Sequence, residues 1–468
     1  MPNIKEGFKK DFESKLNVPS SFDTKQLEIN SKVKPVKKNH TGLIISLSAG
    51  IPTFLLVALI GGIALANVKT DTSIKKKMFT KYEVAIAESN SFYALNNVDL
   101  PSTDVKNYSL NEKQIEAYMN FVQKTKNALT VDGDFTYAPS TLYPVLNEIS
   151  ETTETPSLQS TLLSLFGLEK NERTLFYKTF YQNNFNETEE GRTKLYNFFF
   201  TNRVVSDEYL SFLQDNYCSA YKTDFSDDCQ DKIVNAINDA VNEKNFIDKR
   251  FLEVNGNTCA IFLSTLNFEQ NWYGQYTINE IKKETFRLAN GSTKDVEYIE
   301  HCLFSKGLLE TENYYRVSDE YKNGYSVNYY LPKENISSKD LIKLIDFSKD
   351  YKEKGDSSLI DLYVPMFKNE QTIDFSSMCD NLGLRSLYEE GNITKEFGKS
   401  DYLAVLKQKN LVDFNEKGSS VKSVTMGGYS SKSAGGGMEV KLNRPFVYSI
   451  NDYNGLPLFI GGVDNPTK

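Results

Sequence analysis

Two strand-like segments near the C-terminus, joined by a run with nothing to bury, constrain this chain more than any other feature. Asp413–Thr425, DFNEKGSSVKSVT, holds small and mostly polar residues after a Glu-Lys-Gly turn. Val440–Asp464, VKLNRPFVYSINDYNGLPLFIGGVD, alternates apolar and polar residues, breaks at Asp452–Gly455 and resumes as a short apolar strand. Between them lies Met426–Met438, MGGYSSKSAGGGM, rich in Gly and Ser. That composition predicts an exposed loop suspended between two strands.

The rest of the composition narrows the class. The 468 residues suffice for one large domain with appendages, and 28 Tyr with 30 Phe supply a large core. A net charge of −8 argues against a nucleic-acid partner. The five cysteines, at 218, 229, 259, 302 and 379, have no CxxC spacing. They read as buried small hydrophobes or free thiols, not as a disulfide framework or a zinc ligand set. Only His40 and His301 exist, and His40 precedes the folded part. A Ser/His/Asp triad could draw only on His301, and no two-His metal site can form within the fold. Neither a metal nor a cofactor is expected.

Along the chain, residues 1–41 are polar and Lys-rich without an apolar face, the signature of a disordered tail. Gly42–Asn67 carries no charge across 26 residues, long enough to span a bilayer as one helix at ~1.5 Å per residue. Its length and late start disfavour a cleaved signal peptide. Lys32, Lys34, Lys37 and Lys38 precede the run and Lys69, Lys75, Lys76, Lys77 and Lys81 follow it, so flanking charge does not settle orientation. Residues 68–109 read as a polar stalk, and 110–468 as the folded domain. Leu110–Leu129 has helical spacing, Phe135–Ala138 is a short strand ending at Pro139, and Thr141–Ile149 is helical again. Thr258–Phe268 is an apolar strand followed by the single tryptophan, Trp272.

Several of these segments resemble the serpin family. Glu416-Lys417-Gly418-Ser419 is similar to the family's hinge, Asn443-Arg444-Pro445-Phe446 and Leu458-Phe459-Ile460-Gly461 to its closing strands, and Asn465-Pro466 to its ending. Phe268 and Trp272 match its Phe-x-x-x-Trp spacing. Ala236–Asn242, Asp361–Phe367 and Phe375–Leu384 match further helix and strand patterns, so the resemblance covers about 110–467. It departs where Ser420-Val421-Lys422-Ser423 replaces an Ala-rich hinge, and where Ser264 and Gln408 stand in place of an Asn and a His that meet where the central strands part.

The resemblance implies an α+β fold with a large central mixed β-sheet, two smaller sheets, about eight or nine helices and an exposed reactive-centre loop, preceded here by one transmembrane helix. It implies an inhibitor of serine proteases, not an enzyme. A protease cuts the loop, the segment before the cut enters the central sheet as a new strand, and the acyl-enzyme is carried along and distorted. Alternate side chains of that strand enter a packed interior and must be small or apolar. Counting from Glu416, the inward positions are Ser419, Val421, Ser423, Thr425 and Gly427, with Lys422 facing out; a shift of one residue would bury Lys422.

The same count puts the reactive bond at Lys432–Ser433, which would select a trypsin-like target. Counting back from Asn443 favours Ala434–Gly435, and Tyr429–Ser430 is a third possibility. On the resemblance, Trp272 is the landmark of the breach, and Thr141, Ser264 and Gln408 belong to the region where the sheet opens. The expected partners are a trypsin-like serine protease and, through residues 42–67, the lipid bilayer. The resemblance favours a single-pass protein of the cell membrane with the domain outside, an orientation that the flanking charges leave open. The alternative is a non-inhibitory member serving as a binding or structural module at the membrane.

Overall fold

The structure is a computed structural model that describes residues 89, 91–273, 282–353, 355–419 and 438–466. The apolar run 42–67, Val421, Ser423, Thr425 and the three candidate bonds, Lys432–Ser433 among them, lie outside the described residues. No helix among the described residues is long and apolar enough to cross a membrane.

Two sheets organise the domain. The first runs β1 (Phe92–Ala94), β5 (Cys218–Thr223), β4 (Gly191–Thr201), β6 (Ala260–Asn271), β14 (Gly418–Ser419), β13 (Lys407–Asn415), β12 (Phe367–Asp374), with β3 (Asn186–Thr188) paired to β4. It is mixed, because β4 and β5 are parallel while β4 and β6 form an antiparallel ladder of eleven residue pairs. The second assembly falls into two halves that meet at β8 (Thr293–Glu310). One half joins β7 (Lys282–Arg287), β8, β11 (Asp356–Pro365) and β15 (Met438–Lys441). The other joins β9 (Tyr314–Glu320), β10 (Ser326–Pro332), β16 (Phe446–Asn451), β17 (Pro457–Val463) and β2 (Phe135–Tyr137). A large mixed sheet with two smaller ones is the architecture that the closing motifs imply.

The C-terminal strands show why their residues suit them. β16 and β17 are buried throughout, so the break at Asp452–Gly455 is the hairpin turn between them. A Cβ on Gly461 would stand 2.2 Å from the Tyr448 ring, so that strand position has room only for hydrogen. Helix α1 (Glu112–Ala128) opens with an Asn111–Gln114 capping box and buries Tyr118, Phe121 and Val122. Helix α2 (Pro139–Ser150) starts on a proline and is buried over nearly its whole length beneath β6. After α3 (Pro156–Phe166), α4 (Lys170–Asn183) and α5 (Asp207–Asp215), α6 (Asp227–Ala240) packs on the other face of β6, where Asn267 Nδ2 donates to the Ala240 carbonyl at 3.5 Å.

Ten α-helices occur among the described residues, which fits the expectation of about eight or nine. The last of them, α7 (Lys249–Leu252), α8 (Ser338–Leu344), α9 (Phe347–Lys352) and α10 (Ser376–Asn381), are short pieces, too brief to print a helical period. The stretch read as a stalk is not free over its second half. Phe92, Tyr93 and Ala94 pair with Thr223, Lys222 and Tyr221, and Tyr108 exchanges hydrogen bonds with the Asn183 side chain. These are main-chain bonds with one buried ring between them, so no apolar periodicity betrays them.

Candidate functional site

The first sheet is parted. Strands β6 and β13 run parallel and are joined only through the two residues of β14 among the described pairings. Below β14, Ala260–Glu269 pair on the β4 side alone. Ten residues at ~3.3 Å make an open edge of about 33 Å. A cavity of about 610 Å³ follows this gap, with Leu142 and Val145 of α2 on one side and Ile237 and Val241 at the end of α6 on the other.

The top of the gap is held tightly. Phe414 pairs with Ser419 and Asn415 with Gly418, while Gly418 and Ser419 pair with Asn271 and Gln270. Gly418 is needed there, since a Cβ would lie 1.9 Å from the Gln270 carbonyl oxygen. Trp272 is buried over this junction; its indole Nε1 donates to the Asn415 carbonyl at 3.1 Å, and its backbone N donates to Lys417 O at 3.0 Å. The indole stacks on Tyr321 at 4.6 Å, and the Tyr321 hydroxyl meets Ser419 Oγ at 2.6 Å. Burial holds that phenol well above its ordinary pKa, so the contact is between neutral groups. Ser419 therefore faces the interior. Glu416, at the turn, is half-buried.

Lower down, the side chains expected at the sheet opening divide. Gln408 is buried and completes the start of α2, whose N-cap, Ala138, has no side chain to cap with. Its Oε1 accepts from Ala138 N at 2.8 Å; its Nε2 donates to Ala138 O at 2.9 Å and to Thr141 Oγ1 at 2.6 Å. Thr141 and Gln408 thus meet, but Ser264 does not join them: its buried hydroxyl has no hydrogen-bond partner among the described residues. Among the described residues no polar link joins Ser264 to Gln408 across the parted strands.

Sequence reasoning missed three contributors. Tyr321 lies 98 residues from Ser419, and no pattern pairs them. Asn410 Nδ2 donates to Thr136 O at 2.7 Å and to Gln408 Oε1 at 2.9 Å, fastening β13 to β2. Gln270 Nε2 donates to Thr193 Oγ1 at 2.8 Å and locks β6 to β4 beside the hinge. In β13, Gln408, Asn410, Val412 and Phe414 are buried on the Ser419 side, and none carries charge. The charged Lys407 and Lys409 lie on the alternate face, paired with Glu253 and Glu370. His301 is buried and bonded to Asp319 at 3.2 Å. No group of three or more His, Cys, Asp or Glu side chains that could hold a metal occurs among the described residues, and Cys218, Cys229, Cys259 and Cys379 are free thiols.

The site is thus a mixed sheet parted between two parallel strands, with the two residues of β14 seated at the top of the gap. The family model described as Serpin (serine protease inhibitor) matches residues 119–466, and the chain belongs to that family. Curated relatives include Serpin-Z10 of Arabidopsis thaliana, 21% identical over 48% of this chain and 62% of the relative. Neuroserpin of Mus musculus is 24% identical over 64% of this chain and 78% of its own length. Among solved structures, the thermophilic serpin tengpin in its native state superposes with a TM-score of 0.66 at 22% identity, covering 78% of this chain and 97% of that one. At that identity the likeness speaks for the fold. Serpins are as a class protease inhibitors, not catalysts.

Proposed function

We propose that this protein inhibits a serine protease by taking the cleaved reactive-centre loop into the gap between β6 and β13. The observation that carries the reading is the register already begun by β14. Continuing it, each step along the loop moves one residue back along both neighbours. Val421 then falls between Phe268 and Val412, Ser423 between Leu266 and Asn410, and Thr425 between Ser264 and Gln408. These share the face of Ser419, and small or β-branched side chains suit an uncharged interior. The unpartnered Ser264 hydroxyl gains a neighbour in Thr425. On the other face Lys422 falls opposite Asn267, which is buried, so that lysine meets α6 rather than the open solvent that alternation alone implies.

Cleavage at Lys432–Ser433 fits a target of trypsin-like specificity. The uncharged run 42–67 supports a single membrane span, with the inhibitory domain on the extracellular side. Incubation of the protein with trypsin, followed by denaturing gel electrophoresis and intact mass, tests the reading. A complex at the summed mass that survives denaturation is expected, with a released peptide beginning at Ser433. Clean loop cleavage without a complex would overturn the trapping mechanism for this class of protease.

A second reading, a non-inhibitory binding module at the membrane, draws on one specific observation. Gln408 is spent on the start of α2, and Ser264 has no hydrogen-bond partner among the described residues, so among these no polar clasp between the two holds the parted strands in register. Absence of any gain in heat stability after loop cleavage would favour that reading.

A further inference from the structure

We propose that the strap preceding the domain, Ser89 and residues 91–96, is a latch that fastens α6 against the edge of the parted sheet and so sets how fast the gap can be filled. The strap reaches both elements at once. On the sheet side, β1 pairs with β5, Leu95 N donates to Ala220 O at 2.8 Å, and Asn96 bridges Cys218 O and Ala220 N at 3.0 and 2.9 Å. Phe92 is fully buried against the stacked rings of Phe200 and Tyr221, 6.0 and 5.6 Å away. On the helix side, Ser91 covers the Cys229 thiol, with Oγ at 3.8 Å and the carbonyl at 3.7 Å from Sγ. Lys232, one turn further along α6, sits 5.7 Å over the Phe92 ring and donates to Ser89 Oγ at 3.2 Å. One buried ring is thereby pinned between the sheet edge and α6.

The consequence for the gap follows from where α6 lies. Thr265 and Asn267, on the face of β6 away from the core, are buried, and Asn267 bonds to the last residue of α6. A strand entering beside β6 carries its outward side chains into the same layer, so α6 must lift to admit them. Undocking of the strap removes the contacts that hold the first two turns of α6 down. The inference rests on the gap being the place of strand uptake, yet its own contacts can be read without that step.

The full-length chain in detergent, as wild type, Phe92→Ala and the milder Lys232→Met, allows both readings. Mass-spectrometric alkylation kinetics at Cys229 and hydrogen exchange in α6 report latch opening. Each variant is expected to raise both rates, Phe92→Ala by at least about tenfold, because large-to-small change at a fully buried ring is among the most disruptive. Separately, the rate at which loop-cleaved protein acquires heat stability reports strand uptake, and is expected to rise in the same order. Unchanged Cys229 labelling in both variants overturns the latch. Faster labelling with unaltered uptake overturns its control of the gap. If cleaved wild type gains no heat stability at all, the inhibitory reading fails, and the labelling data alone decide whether the strap holds α6.

Discussion

Glu148 is the residue in this fold that most resists its place. It sits on α2 beneath the parted sheet, 1% exposed, and neither carboxyl oxygen accepts a geometrically sound hydrogen bond among the described residues; the Cys218 thiol lies beside it. Burial pushes its pKa up to about 8 from an ordinary 4.5, so the group stays protonated at neutral pH. A folded-state pKa above the unfolded one means stability is undiminished below about pH 4.5. It is lost progressively as pH rises to about 8, because the unfolded chain ionises there and the folded one does not. At pH 7 the penalty is roughly 3 kcal/mol. Glu148→Gln is therefore expected to leave stability nearly unchanged at pH 4.5 and to raise it at pH 7.5, measured as denaturant midpoints. An equal effect at both values would show that the carboxyl ionises freely inside the fold. Gln408 teaches a related lesson: its amide is occupied at both ends by the start of α2, which no reading of β13 in isolation could reveal.

At the scale of elements, the hinge strand β14 is two residues long and everything depends on its seat. Gly418→Ala would drive a methyl into the Gln270 carbonyl; backbone cannot yield cheaply, so β14 should leave the top of the gap at a loss of about 1–3 kcal/mol. The chain's one tryptophan, Trp272, bonds to Asn415 directly above. Its emission is expected to shift to the red in this variant, and unaltered emission would mean that β14 is not what holds the indole. Thr425→Arg addresses the far end of the segment proposed to enter the gap. An arginine opposite Ser264 and Gln408 meets only uncharged, buried partners, so loop cleavage by trypsin is expected to persist while the denaturation-resistant complex disappears.

These elements also mark how far the sequence alone could be read. The alternation in Val440–Asp464 and the Glu-Lys-Gly turn at Glu416–Gly418 are local patterns, and they lead directly to β16, β17 and the hinge. The closing motifs extended the reading to the central sheet. The strap stayed hidden because β1 is three residues with one buried side chain, and a period of two needs more than that to register. Tyr321 was invisible because its partner, Ser419, is a non-local contact set by the stacking of one sheet on another.

For the whole molecule, the parted sheet is a store of unmade main-chain pairing. Along the gap, the edges of β6 and β13 that face each other form no ladder with one another below β14 among the described residues. A strand laid between them over residues 420–427 would form about fourteen to sixteen hydrogen bonds on two sides. At a net ~0.5–1.5 kcal/mol each, that is on the order of 10 kcal/mol, comparable with the entire stability of an ordinary domain. If the gap takes up the loop as proposed, the uncut protein is the less stable of two arrangements, its loop being tied at the far end to β15, which pairs with β11. Cutting the loop releases that end. Limited proteolysis within 428–436 by a protease too small or too slow to be trapped is therefore expected to raise the melting temperature by about ten degrees or more. Phe92→Ala should reach the same final temperature sooner, because the latch bears on the rate of uptake and not on the bonds gained. A cleaved protein that melts where the uncut one does would mean that the gap accepts no strand, and that the parted sheet serves to bind rather than to trap.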